Sequence, residues 1–221
     1  MNNSMPARII LRPIGSPLTI GMSGLAIASL VQSGLDLHWL ASGQTHDVGL
    51  ILVSVPFVLQ LVACVLSYLA RDGAAGAAVG VLSVSWLAQG LVHLGSAPGS
   101  RSGALGLMLI AAASMLILSS LAVSVAKPMV GLVFTLAAVR FLAGGVYYLG
   151  GPSFWQTVGG IIGLAVVTTA AYCTLAFELE GQMHHPLLPT FRRGRGAAAA
   201  RGEAPAAVDG LANEPGVRQT T

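Results

Sequence analysis

The residue with the most chemical potential in this chain is Arg140, a full positive charge set inside an otherwise apolar run. A guanidinium at the centre of a bilayer costs ~3 kcal/mol on insertion scales, so it is retained for a reason. Its planar fork can hold a carboxylate through two parallel hydrogen bonds. Judged by sequence position, no acid shares its depth: Asp36 and Asp47 are expected at the external side, and Glu178 and Glu180 near the cytoplasmic end. An unpaired intramembrane arginine leaves two readings, an anion path or a charge held by backbone carbonyls, and the anion path is the stronger. Polar groups of lower charge accompany it. Trp86, Gln89 and His93 recur at i, i+3 and i+7 and therefore share one helical face, flanked by Leu82 and Ser85. On this pattern Met108 and Leu116 are less constrained. Gln60 and Ser67 stand two turns apart on another run. Such amides either bond neighbouring helices, at about 0.6 kcal/mol each, or line a water-filled path. His38, His46 and His93 gather toward one end, where side chains with a reference pKa of ~6.5 can sense pH or simply populate an interface, as Trp39 beside His38 does.

These residues are carried by six apolar stretches, roughly 17–37, 48–70, 74–94, 103–125, 128–149 and 153–176. Each matches the ~20 residues a helix needs to cross the hydrocarbon core. The chain has 221 residues, 54% hydrophobic and only 9% charged, with a mean hydropathy of +0.78. A soluble domain carries about a quarter charged residues. The fold class is therefore an all-α membrane protein, six transmembrane helices in a compact bundle.

Charge sets the orientation. With the first span starting inside, Arg8, Arg12, Arg71, Lys127, Arg192, Arg193, Arg195, Arg201 and Arg218 collect on the inner side and only Arg101 on the outer. Lys and Arg resist translocation, so both termini are expected in the cytoplasm and the protein in the inner (plasma) membrane. The net charge of +3 is made of these same residues, which removes the case for nucleic acid. The first apolar run is too long for a cleaved signal peptide. Three parts are expected: a cytoplasmic segment 1–14, a transmembrane domain 15–180 and a cytoplasmic tail 181–221, disordered from about 192.

Connections such as 71–73 and 126–127 are very short, so neighbouring spans pack antiparallel. Ser16 ahead of Pro17 reads as a capped helix start, and Pro128 and Pro152-Ser153 repeat the device. Pro56 should kink the second span. Gly76 with Gly80, and Gly159 with Gly163, place small residues on one face for close packing. Cys64 and Cys173 read as buried hydrophobes. His184-His185 has no acid or thiol beside it to complete a metal site, no enzyme motif is present, and no cofactor is expected.

The close of the sixth span, Ala171-Tyr172-Cys173-Thr174-Leu175-Ala176-Phe177-Glu178-Leu179-Glu180, followed by Leu187-Leu188-Pro189, resembles the C-terminal signature of the acetate uptake transporters, the small six-span YaaH-type acetate–succinate permeases. Ser16-Pro17-Leu18 with Gly21 is similar to the second half of that family's opening motif. Gln60, Trp86 and Gly159-Gly160 also fall where the family has a glutamine, a tryptophan and glycines. The chain departs from the pattern at Ile14-Gly15, at Pro56-Phe57, at Leu82 in place of a constriction tyrosine, and at Arg140. The resemblance implies a hexamer with one pore per protomer and a small carboxylate anion as partner. The expected function is a channel or carrier for acetate-like monocarboxylates, with succinate and proton coupling as finer expectations. The expected substrate pathway is Gln60, Leu82, Trp86, Gln89 and Arg140, with His38, His46 and His93 sensing protons. Two alternatives stay open: a neutral-solute channel for ammonia, urea or a protonated acid, and a non-transporting membrane scaffold.

Overall fold

The computed structural model describes residues 15–183, 185–194 and 197. Segment 1–14, most of the expected tail, Arg195, Arg201, Arg218 and His184 lie outside the described residues. Among the described residues seven α-helices build six spans: α1 (Pro17–Asp36), α2 (Thr45–Ser54) with α3 (Pro56–Leu69), α4 (Gly73–Gly95), α5 (Gly103–Ser124), α6 (Pro128–Tyr148) and α7 (Phe154–Met183). The second span is divided because Pro56 has no N–H to donate and its ring crowds the preceding turn. Val55 twists to φ −112°, ψ −73°, and helical bonding resumes from Val55 O to the Leu59 N–H. Prolines also open α1 and α6. The expected Ser16 cap differs: its hydroxyl makes no capping bond, and the fixed φ of Pro17 suffices to start the helix.

The spans close into a ring in which α1 packs on α7, α7 on α6, α6 on α5, α5 on α4, α4 on α2 and α3, and α3 back on α1. Lipid supplies no hydrophobic drive between helices, so close backbone approach must hold the ring. It occurs where single glycines face one another. A Cβ at Gly49 would lie 2.8 Å from the Gly90 carbonyl, and one at Gly106 would lie 2.9 Å from that of Gly145. Gly76 and Gly80 admit Tyr68 and Cys64 of α3. The interior is filled by Trp86, Phe134, Phe141, Met22, Leu25 and Leu82. Large apolar side chains such as Leu61, Val65, Leu118, Leu121 and Ile161 face outward.

The bundle has two unlike ends. At one, Lys127 pairs with Asp72, Arg192 pairs with Glu180 at 2.8 Å, and the segment after α7 folds back. There the Tyr172 hydroxyl donates to Pro189 O at 3.0 Å, and the Arg193 N–H donates to Ala126 O at 3.1 Å. At the other end lie Asp36, His38, His46, His93 and Arg101, whose guanidinium donates to Gly151 O at 2.9 Å and covers the Tyr147 ring. The ends are called here the lysine end and the histidine end.

Candidate functional site

At the histidine end a cavity of about 160 Å³ opens between α1, α4, α6 and α7, lined by Asp36, His38, Thr45, His93, Tyr148 and Gln156 among others. A separate chamber of about 20 Å³ adjoins it across the shared residues Gln32, Asp36 and Tyr148, and its walls also include Gln89, Arg140, Phe141 and Gly144. That chamber holds about one water-sized group.

One hydrogen-bonded chain runs down the wall. Arg140 Nη2 donates to Asp36 Oδ2 at 3.3 Å, and Gln32 Nε2 donates to Asp36 Oδ1 at 3.1 Å. The Gln32 amide is thereby oriented. Its Oε1 lies 3.0 Å from His93 Nε2 and can only accept, so His93 carries its proton on Nε2. Behind Arg140, the guanidinium carbon lies 5.3 Å from the centre of the Trp86 ring. Trp86 in turn meets Phe141 edge to face at 5.2 Å. The arginine is thus flanked by an aromatic face, which favours a cation.

Arg140 is not unpaired. The expectation that no acid shares its depth is corrected by Asp36, the last residue of α1. The sequence argument measured depth at the backbone. Arg140 lies eight residues before the end of α6, about 12 Å at the helical rise, and its long side chain closes much of that distance. Glycines make the room. A Cβ at Gly160 would lie 3.1 Å from that of Asp36, and one at Gly163 would lie 2.6 Å from Arg140 Nε and fall on Ser33 Oγ. Arg140 Nε and Ser33 Oγ are both buried without a protein hydrogen-bond partner, and they face this same notch.

The other sequence candidates separate into groups. Gln89 lines the chamber and donates to Ser85 O at 3.3 Å. Trp86 and Leu82 are fully buried beneath it and line neither cavity. Gln60 is also fully buried. Its Nε2 donates to Gly21 O at 3.2 Å, which joins α3 to α1, while its Oε1 has no partner. His38, at φ 59°, and His93 line the vestibule; His46 is exposed on its rim and bonds Ser96 O at 3.2 Å. Trp86, Gln89 and His93 all face the bundle interior. Leu116, expected to be less constrained, is fully buried, because α5 is apolar on every side and nothing in its sequence marks the packed face. Sequence reasoning missed Asp36, Gln32, Ser33 and Gly163 as parts of the site. Their signal was present as a polar stripe on α1, Ser29, Gln32, Ser33 and Asp36 at i, i+3, i+4 and i+7. Among the described residues no cluster of His, Cys, Asp and Glu is arranged to hold a metal ion.

The six spans thus form a helical ring with a polar vestibule above a buried arginine. A solved structure that shares this fold is that of the bacterial acetate channel SatP: the TM-score is 0.70 at 18% identity, over 80% of this chain and 99% of that one. No protein-family model and no curated protein sequence matches the chain.

Proposed function

We propose that this protein is a multi-pass inner-membrane channel or carrier for small monocarboxylates such as acetate, with the histidine end outside and both termini in the cytoplasm. The observation that carries the reading is the vestibule ending on Arg140 and Gln89, within the fold of an acetate channel. A small anion collects in the vestibule, exchanges hydration for the Arg140 fork and the Gln89 amide, and then meets the apolar layer of Trp86, Phe141 and Leu82. Apolar constrictions of this kind gate by dewetting. Beyond that layer the interior is not dry in character. Ser29 Oγ, Trp86 Nε1, Gln60 Oε1 and Ser67 Oγ are buried polar atoms without protein partners. From Ser33 to Gly21, level with Gln60, is twelve residues, or about 18 Å, and Gln60 to Ser67 adds about 10 Å. The trail therefore extends over about the hydrocarbon thickness of ~30 Å. The outward apolar side chains suit lipid and the subunit contacts of the hexamer that the sequence resemblance implies.

The deciding experiment is flux of labelled acetate into liposomes holding the purified protein. Uptake above protein-free liposomes, responding to membrane potential, supports an anion path; no uptake refutes the transport reading and leaves the scaffold. The neutral-solute channel retains one specific observation in its favour, that Asp36 neutralises Arg140. It requires flux indifferent to membrane potential. Succinate transport and proton coupling are tested in the same liposomes by competition and by an imposed pH gradient.

A further inference from the structure

We infer that Asp36 is a tethered stand-in for the substrate, and that a carboxylate binds this protein by displacing Asp36 from Arg140. The inference rests on the monocarboxylate reading above and specifies how its anion site works. Beyond its α-carbon an aspartate side chain is CH₂–COO⁻, the skeleton of acetate. The space in front of Arg140 is therefore shaped for acetate because it already contains one, attached to the end of α1.

The geometry shows an occupant held less firmly than its site. Arg140 is 4% exposed, while Asp36 is 16% exposed and faces the vestibule. The guanidinium is fixed from behind by the Trp86 ring and the Gly163 notch. Asp36 ends its helix, and the chain turns directly after it, through Leu37 as the cap and His38 at φ 59°. The contact between them is one bond of 3.3 Å, whereas charge-assisted bonds run about 2.7–2.9 Å and arginine–carboxylate pairs are frequently two-pronged. The second Asp36 oxygen is given to Gln32 instead, so Asp36 does not grip Arg140 with both of its oxygens. A free carboxylate can thus make a fuller contact with Arg140 than Asp36 does. The 20 Å³ chamber is too small to admit acetate beside Asp36, so entry requires Asp36 to swing toward the vestibule. Gln32, bonded to His93, offers a resting partner there.

The consequence is a weak, fast site. A tethered competitor acts at an effective concentration in about the millimolar range or above, and it raises the apparent dissociation constant in proportion. Removing it should tighten acetate binding about tenfold or more. The test uses Asp36→Asn, which keeps the shape and removes the charge. Binding is read without transport, from Trp86 emission in a Trp39→Phe, Trp155→Phe background, with acetate, chloride and the neutral isostere acetamide as probes. Asp36→Asn should bind acetate about tenfold more tightly than the parent and gain thermal stability from acetate but not from acetamide or chloride. Unchanged or weaker acetate binding overturns the exchange. Where Asp36→Asn does not fold in chloride, purification in acetate decides: recovery in acetate alone supports the exchange, and failure in both overturns it. Flux in the parent protein is measured in parallel. Parent flux with unaltered Asp36→Asn affinity sinks the exchange alone, while absence of parent flux sinks the transport reading.

Discussion

The Asp36–Arg140 pair makes a quantitative prediction about stability that is separate from transport. At 3.3 Å, opposite unit charges attract by about 5 kcal/mol at an effective dielectric constant of ~20. Desolvation of both groups offsets much of that attraction. Contacting residues measured by double-mutant cycles give couplings of about 0.5–3 kcal/mol. A coupling of about 2 kcal/mol is therefore expected between Asp36→Asn and Arg140→Leu. The single variants should differ in a defined order. Asp36→Asn strands a guanidinium that is 4% exposed, and the loss should approach the ~3 kcal/mol seen on breaking buried pairs. Arg140→Leu strands a carboxylate that is 16% exposed, still bonded to Gln32 and open to the vestibule, so about 1–2 kcal/mol is expected. The double variant should be less destabilised than the two losses added. Unfolding of the four proteins in chloride, titrated with denaturing detergent, gives all four free energies. Additivity to within about 0.5 kcal/mol would refute the claim that the two groups form an energetically real pair. A double variant more stable than either single would confirm that the cost lies in the stranded charge.

The architecture was legible because crossing a bilayer imposes a length and a composition that short loops cannot disguise. Pro56 was legible too, since a missing donor acts locally. The site was legible only in part. Arg140 and Gln89 stand out in apolar surroundings, but Asp36 lies at a span end, where backbone depth alone sets it apart from Arg140. What joins Asp36 to Arg140 is the reach of one side chain and two glycines, Gly160 and Gly163, on a third helix. The close backbone-to-backbone helix contacts were invisible for a similar reason. Gly49 meets Gly90, and Gly106 meets Gly145, each helix contributing a single glycine, so no motif within one helix reveals the pair. Gly76 and Gly80 do form such a motif, yet they face the side chains Tyr68 and Cys64 rather than another backbone.

Three further outcomes are expected. Gly163→Ala should cost about 1–3 kcal/mol and reduce flux, since the new methyl overlaps Ser33 Oγ and lies 2.6 Å from Arg140 Nε. Gly159→Ala, whose nearest neighbour is 3.8 Å away, is the control, and equal effects in the two would remove the notch from the argument. Trp86→Ala and Gln89→Ala should each lower acetate flux in liposomes while outward-facing Leu118→Ala does not; indistinguishable flux in all three leaves the pathway without support. The last outcome concerns direction. Arg71, Lys127, Arg192 and Arg193 lie at the lysine end against Arg101 at the other, and basic residues resist translocation. Exposed Ser42, at the vestibule rim, should therefore accept an impermeant thiol reagent in intact cells when replaced as Ser42→Cys. Labelling only after lysis would turn the vestibule toward the cytoplasm, and Asp36 would then yield its place on Arg140 to carboxylates leaving the cell rather than to those arriving.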